Sequence, residues 1–220
     1  MAKHSDKARE VLLDAAEELF ACHGIDAVSN RRITERAGTA NHSAINYHFG
    51  GRDQLLRALI KRHLEKMRQR YEELFAALGT EPALWDVIAC RVLPWTELLA
   101  AQPLPGWRAR FLFQVSTIPS VVSVLTAALT DNVGFERLSV HIRQLLADIP
   151  GPVLKARSGI LGPMVLSICS DYEQQVQDGT AEGDWASVGY FLIDAMTGML
   201  AAPVTRGGHN PPPPSPSGIL

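Results

Sequence analysis

The chain has 220 residues, 46% of them hydrophobic, and a formal net charge of −2. This length allows one large domain, or a small domain followed by a larger one. The three cysteines form neither a CxxC pair nor the spacing of a metal site, which fits a reducing cytoplasm. The N-terminus has no apolar signal segment, and no run of about 18 apolar residues occurs. We therefore expect a cytoplasmic protein that does not associate with membranes.

The first predicted helix carries one apolar stripe over residues 11 to 20 and ends at Gly24. Two short helices follow, Ser29–Ala37, with the serine as N-cap, and Asn41–Phe49. A glycine pair separates them from a long amphipathic helix that ends near Gly79. The first 80 residues are thus predicted to be two longer helices around two short ones.

The rest of the chain is predicted to be helical and more apolar. We expect helices over residues 83–101, 105–118, 120–130, 135–147, 152–177 and 184–203. Pro163 lies inside one of them and should kink or break it. Residues 206–220 are rich in proline and have little apolar surface to bury, so they are predicted to be a disordered tail.

Charge is unevenly distributed along the chain. Residues 27 to 62 include seven basic and two acidic side chains, a net charge of +5. From residue 81 onward eight basic residues are set against twelve acidic ones, a net charge of −4. This pattern is typical of a polyanion-binding N-terminal region followed by a domain with a different function, although a solvated helix face gives the same pattern.

The two short helices, joined by a turn that contains Gly38, have the pattern of a helix-turn-helix. A helix that enters the DNA major groove needs small or hydrogen-bonding side chains toward the bases and phosphate-binding groups at its flanks. Ser43 and Asn46 are three residues apart and share a face, and Asn46 can pair with adenine through two hydrogen bonds. The flanking cations that suit phosphate contacts are Arg31, Arg32 and Arg52.

Catalytic motifs are absent from the sequence, which contains no GxSxG, HExxH, P-loop or strand-linked GxGxxG. The neighbouring carboxylates of Glu17 and Glu18 do not face each other on a helix, so we interpret them as solvated charges. We expect no enzymatic activity, no catalytic residue, no metal site and no cofactor.

The segments ITERAG (residues 33–38) and SAINYHFGGRDQLL (residues 43–56) resemble the DNA-binding signature of TetR-type regulators. The resemblance implies an all-α fold with an N-terminal three-helix helix-turn-helix domain, residues 1–50. It also implies a larger C-terminal domain, residues 51–205, that binds an effector, dimerises and begins with a connecting helix, residues 51–79. The implied function is a ligand-responsive regulator, most simply a repressor, that binds a palindromic operator of double-stranded DNA as a homodimer and is released by a small, largely apolar effector.

The resemblance also implies which residues contact DNA. They are Ser29, Arg31, Asn41, His42, Ser43, Asn46, Tyr47, His48 and Arg52. Thr34 stands where the family usually has alanine, and the approach from Gly38 to Tyr47 is one residue longer than its commonest pattern. The base-facing register therefore stays open.

Several side chains in and near this unit have simpler explanations. Phe49 is better explained as a core residue, Asn41 serves equally well as a helix cap, and His48 either caps the helix or contacts the DNA backbone. His63 lies on the apolar stripe of the long helix, so we interpret it as an interdomain packing residue.

The C-terminal part has no motif, and its ligand site is predicted from composition alone. Aromatic and sulfur-containing side chains can line an apolar cavity, and a histidine can orient a ligand. The candidates are Trp107, Phe111, His141, Met164, Cys169 and Tyr172. Core packing explains each of them as well. The last two helices are a dimer interface by resemblance or a monomer core by pattern. A second functional hypothesis is a helical small-molecule-binding or adaptor module that does not bind DNA.

Overall fold

The computed structural model describes residues 2–39, 41, 43–118 and 133–205, with only the backbone for residues 2–5 and 133–136. All regular structure in these ranges is α-helical, which confirms the predicted fold class. The helices are α1 (Ala2–His23), α2 (Asn30–Arg36), α3 (Ala44–Phe49), α4 (Arg52–Ala76), α5 (Leu84–Ala100), α6 (Arg108–Thr117), α7 (Val133–Leu145), α8 (Gly151–Gln177) and α9 (Trp185–Ala201). The helix predicted at 120–130 and the tail at 206–220 lie outside the described residues.

Helices α1 to α3, here named the head, pack around one apolar core. Phe20, Ile33 and Ile45 contribute one fully buried side chain from each helix. Gly24 and Gly38 follow α1 and α2 with φ angles of +82° and +69°, in the left-handed region that glycine adopts without strain. These glycines let the chain turn sharply twice, so three helices can enclose a small core.

Helices α5 to α9, here named the body, are joined to the head by α4. Within the body α5 packs against α9, and α6 packs against α8. At Gly189 the two helices approach closely, since a Cβ atom there would lie 2.8 Å from Oγ1 of Thr96 on α5. Helix α6 also packs directly against α1, so α4 is not the sole contact between head and body.

Helix α8 is long and apolar. Pro163 lies inside it without ending it, which corrects the possibility of a break there. Among the described residues α8 is the one helix whose length and composition would allow it to cross a bilayer. It packs against α6 and α9, and Leu161 and Cys169 are fully buried. Burial in the core, which covers 39% of its apolar window, explains part of this apolar character.

Candidate nucleic-acid interface

Helix α3 has one buried face and one exposed face. Ala44, Ile45 and Phe49 are buried in the head, which confirms the interpretation of Phe49 as a core residue. Asn46 is exposed, and Tyr47 is 78% exposed. This outer face therefore presents an amide and a phenol, the kinds of group that bind base edges and phosphates.

The approach to α3 is a turn built on Asn41. The helix begins at Ala44, three residues later than predicted. Oδ1 of Asn41 accepts a hydrogen bond from the N–H of Ser43 at 2.9 Å, and its carbonyl oxygen accepts one from the N–H of Ala44 at 3.0 Å. Such local bonds compete with helix formation, so the helix starts late. Asn41 thus stabilises the turn, while the N-cap position belongs to Ser43, which is exposed. His42 lies outside the described residues.

A cation from α1 holds the end of α3. Nη1 of Arg9 donates to the carbonyl oxygen of His48 at 2.7 Å, and the guanidinium carbon lies 4.3 Å from the centre of the Phe49 ring. A positive charge is favourable at a helix C-terminus, and a helix of six residues is not stable alone. Arg9 therefore caps this end of α3, a role for which His48 was a candidate in the sequence. The His48 ring instead meets the Tyr47 ring edge to face at 4.9 Å.

The start of α2 carries two of the predicted phosphate-binding residues. Oγ of Ser29 accepts a hydrogen bond from the N–H of Arg32 at 3.2 Å, which confirms this serine as the N-cap. Arg31 pairs with Glu35 at 2.7 Å, and this carboxylate raises the pKa of Arg31. The pair is exposed, and exposed ion pairs are weak, so the guanidinium can exchange the carboxylate for a phosphate.

Arg52 faces inward, although the sequence predicted a phosphate contact. Its Nη1 donates to Oδ1 of Asn30 at 3.3 Å, and its Nη2 donates to the carbonyl oxygen of Ile25. The guanidinium lies 5.0 Å from the centre of the Phe20 ring, and burial lowers the pKa of Arg52. Arg52 therefore ties the start of α4 to the connection between α1 and α2, and few of its N–H groups remain for a phosphate.

Four polar side chains meet where α1, α4 and α6 converge. This group, here named the junction cluster, consists of Glu17, Arg62, His63 and Arg108. Nε2 of His63 lies 3.0 Å from Oε1 of Glu17, Nε of Arg108 lies 3.8 Å from the same oxygen, and Arg62 contacts Oε2. Glu17 is only 6% exposed, so its interpretation as a solvated charge is wrong. No local sequence pattern indicates this burial, because α6 comes from a distant part of the chain.

The charge state of the junction cluster follows from its neighbours. Burial alone raises the pKa of Glu17, but His63, Arg62 and Arg108 together bring it below the usual value. Burial lowers the pKa of His63, so the imidazole is neutral at pH 7. His63 is fully buried, with its ring 6.0 Å from that of Phe111 on α6. His63 thus lies between head and body, in agreement with its interpretation as an interdomain packing residue.

The residues predicted to line a ligand site do not converge on one place. Phe111 is fully buried and stacks on Phe20 at 6.2 Å, so it belongs to the contact between α6 and the head. Trp107 occupies the N-cap position of α6, with the guanidinium of Arg110 at 4.7 Å from its ring centre. Both side chains are engaged by protein groups.

The remaining candidates are spread over the body. The His141 ring lies 5.8 Å from that of Phe75 on α4, and Tyr172 meets Trp185 edge to face at 4.9 Å. Cys169 is fully buried, which raises the pKa of its thiol to about 12. Met164 is half-buried on α8. Their shared apolar composition reflects core packing at several places.

The N-terminal part of the chain matches a known family. The model of the family described as "Bacterial regulatory proteins, tetR family" matches residues 12–59. The HTH-type transcriptional repressor AcnR of Corynebacterium efficiens is 27% identical over 143 residues, which are 63% of this chain and 73% of the relative. The AcnR repressor of Corynebacterium glutamicum is 26% identical over 154 residues, 67% of this chain and 73% of the relative.

Solved structures share the fold. A TetR family transcription regulator from Marinobacter aquaeolei VT8 superposes with a TM-score of 0.62 at 15% identity, covering 90% of this chain and 98% of the other. A regulator of the same family from Shewanella sp. PV-4 gives a TM-score of 0.55 at 20% identity, covering 84% and 95%. The family match covers the head, and the structural likeness extends to the body. Regulators of this family are not enzymes, in agreement with the sequence prediction. Residues 12–59 of the chain therefore match the TetR-type transcriptional regulators, and the chain shares the fold of solved members of that family.

Proposed function

We propose that the chain is a repressor that binds a palindromic operator as a homodimer and releases it when a small effector binds in the body. The exposed face of α3 carries this proposal, since Asn46 and Tyr47 project outward while the helix is held by its buried face and by Arg9. In this proposal residues 1–50 are the DNA-binding domain. Residues 51–205 are the effector-binding and dimerisation domain, entered through the connecting helix at 51–79.

The proposed DNA contacts fall into two groups. Side chains at and before α3 contact base edges: Asn41, His42, Ser43 and Asn46. Tyr47, His48, Ser29, Arg31 and Arg52 contact the sugar-phosphate backbone. Exposed side chains in both groups support this division. Arg52 can bind a phosphate only through the N–H groups that are not used in its hydrogen bonds to Asn30 and Ile25.

Exposed apolar side chains on the last two helices support a dimer. Ile160 on α8 and Tyr190 and Phe191 on α9 are each more than half exposed. A patch of apolar surface on one protomer marks an interaction site. Two-fold pairing through this surface would present two copies of α3 to half-sites about 34 Å apart, one turn of DNA. The protein would act in the cytoplasm, where its free thiols are stable.

The response to an effector would pass through α6. This helix contacts α1 and α4 through the junction cluster, so a shift of α6 moves the head relative to the body. An effector that binds better to the shifted arrangement lowers the population able to bind both half-sites.

Substitutions on the exposed face of α3 test the DNA-binding part. An operator is first selected from a random pool of double-stranded DNA, and its affinity is measured by fluorescence anisotropy. Asn46→Ala should cost about 1–3 kcal/mol per half-site and relax the preference at one base pair. Tyr47→Ala should weaken binding to all sequences alike, because it removes a backbone contact. Gln175→Ala, an exposed change on α8, is the matched control and should have no effect.

Unchanged affinity in both α3 variants would contradict the proposed recognition helix. A selection that enriches no DNA sequence would favour the second hypothesis, a helical binding module without DNA recognition.

A further inference from the structure

The body contains a cleft where the C-terminal ends of α5 and α8 meet the connections that follow them. This side cleft has a volume of about 220 Å³. An apolar cavity of about 150 Å³ is large enough to hold benzene. The side cleft therefore has room for a ligand with one ring and a short substituent. None of the six ligand residues predicted from the sequence lines it.

The inner part of the side cleft is apolar. Leu99 and Trp185 are buried at its base, and the Trp185 ring is held edge to face by Tyr172 at 4.9 Å. Leu104 stands at its mouth and is 70% exposed. Leu104 and the Trp185 ring thus give the side cleft apolar surface that a ligand would cover.

The charged groups of the side cleft are both acidic. Its lining contains Glu173 and Glu182 but no basic side chain. Glu182 is exposed at the rim, and Glu173 is only 3% exposed at the base. Glu173 already pairs with Arg110 at 3.4 Å, so the attraction for a cation comes mainly from Glu182. Apolar walls with this carboxylate are complementary to a ligand that has an apolar part and a positive charge.

Gly106 and Glu173 are neighbours in the lining of the side cleft. A Cβ atom at position 106 would lie 3.2 Å from Oε1 of Glu173, closer than an ordinary contact. Because glycine has no such atom, a ligand can approach Oε1 from this side. The same oxygen accepts the N–H of Ala109 at 3.0 Å, and a carboxylate oxygen has room for a second donor.

We propose that the side cleft binds a small organic ammonium ion. Its apolar part would lie between Leu104 and Trp185, and its N–H groups would donate to the carboxylates of Glu182 and Glu173. This inference rests on the proposed function and gives the effector a chemical class.

Glu173 links this site to the head. Its two oxygens accept the N–H groups of Ala109 and Arg110 in the first turn of α6, at 3.0 and 2.9 Å. The same helix carries Arg108 and Phe111 to Glu17 and His63 of the junction cluster. An ammonium group that donates to Oε1 of Glu173 as a second donor draws charge away from the hydrogen bond with Ala109, so it weakens this bond at the start of α6 and shifts the helix that contacts the head.

Direct binding tests the site first. Benzylamine, a cation at pH 7, is the probe, with benzyl alcohol and benzoate as the neutral and anionic compounds of similar shape. Titration of the full chain, followed by calorimetry and ligand-observed NMR, should show benzylamine binding at least about fivefold more tightly than benzyl alcohol, and benzoate most weakly. Equal affinity for the amine and the alcohol would overturn the proposal.

Two substitutions locate the bound amine. Glu182→Gln should weaken benzylamine binding roughly two- to fivefold, the size expected for an exposed ion pair. Gly106→Ala should weaken it more strongly, because the added methyl group blocks the approach to Glu173. Glu72→Gln, the same exchange at an exposed site on α4, is the matched control. Circular dichroism confirms that each variant folds. Wild-type affinity in folded Glu182→Gln and Gly106→Ala would place the amine elsewhere and overturn the proposal.

The operator complex then separates this inference from the proposed function. Saturating benzylamine should lower operator affinity, typically 5- to 150-fold for a coupled pair of sites, and Gly106→Ala should abolish the effect. If the operator binds and benzylamine leaves its affinity unchanged, the proposed effector class is wrong while the repressor proposal stands. If the amine binds but no operator is found, the repressor proposal fails and the amine site stands.

Discussion

The two buried glutamates Glu17 and Glu173 hold the same helix, α6, from different sides and by different means. Glu17, in the contact between head and body, reaches α6 through the side chain of Arg108 and is also contacted by Arg62 and by the neutral imidazole of His63. Glu173, inside the body, reaches α6 mainly through the N–H groups of Ala109 and Arg110. The first contact is ionic, whereas the second combines a helix cap supplied by another helix with an ion pair to Arg110 at 3.4 Å.

Their pKa values move in opposite directions. Burial raises the pKa of both carboxyl groups. At Glu17 the neighbouring His63, Arg62 and Arg108 outweigh burial, whereas at Glu173 the hydrogen bonds from α6 and the charge of Arg110 do not. Burial alone therefore does not decide the direction in which the pKa of a buried carboxyl group shifts. The number of cations around the group also matters.

The largest effect is expected at Glu17. Glu17→Gln removes the negative centre of the junction cluster and leaves His63 and Arg108 buried without their carboxylate. Breaking a buried ion pair on one side costs about 3–5 kcal/mol, and we expect about 3 because Arg62 also pairs with Asp14 at 2.7 Å. Urea unfolding of both proteins measures the difference.

The neighbouring residue supplies the control for this prediction. Glu18 pairs with Arg36 at 2.6 Å near the surface, so Glu18→Gln should cost less than about 1 kcal/mol. Equal losses in the two variants would show that the ionic contact at Glu17 contributes nothing beyond a surface pair.

A smaller effect is expected at Glu173. Glu173→Gln replaces one acceptor oxygen by an NH2 group. One N–H of α6 then faces a donor and loses its hydrogen bond. An unsatisfied buried donor costs about 1–3 kcal/mol, and we expect about 2. Glu182→Gln lies beyond the same helix and is exposed, so it should change the free energy of unfolding by less than about 0.5 kcal/mol. A loss at Glu173 that exceeds the loss at Glu17 would reverse the ranking.

The smallest effect is a pH dependence of stability. The pKa of His63 is lower in the folded protein than its usual 6.5, so the unfolded state binds more protons below that pH. The free energy of unfolding should fall by roughly 1 kcal/mol from pH 7 to 5.5 on account of His63. Because the pKa of Glu17 is also lowered, its contribution to the free energy of unfolding is unchanged between pH 7 and 5.5. That contribution is lost only as the pH falls below 4.5.

Comparison of two histidine variants isolates this dependence. His63→Gln should flatten the fall in unfolding free energy, measured by urea titration at several pH values. His23→Gln, an exposed change, should leave the slope as it is. Parallel curves for wild type and His63→Gln would mean that His63 takes up its proton in the folded state.

Local sequence patterns predicted most of the fold and part of the interface. Ser29 begins α2 and Gly38 follows it as expected, because caps and left-handed turns depend on neighbouring residues. Phe49 is buried as its interpretation as a core residue requires, and Tyr47, a DNA contact by resemblance, is exposed on the same short helix. These features need no knowledge of the rest of the chain.

Contacts between distant segments were beyond such reasoning. Arg9 at the end of α3, Glu17 beside α6 and Glu173 at the start of α6 each depend on a partner far away in sequence. The composition that suggested a ligand site around Trp107 and Cys169 does not distinguish a pocket from a packed core. The side cleft was missed because loops and helix ends form it, and no periodic pattern marks them.

The inward orientation of Arg52 changes how many counterions DNA binding can release. Of the seven basic residues between positions 27 and 62, Arg52 bonds inside the head, and Arg62, with a side chain 12% exposed, bonds to α1. Each phosphate neutralised on DNA steepens the slope of log affinity against log salt by about 0.9. Without Arg62 the slope is shallower by about one per protomer than the sequence charge suggests, and the internal bonds of Arg52 reduce it further. Discrimination between operator and other DNA then depends more on the outer face of α3 than on charge.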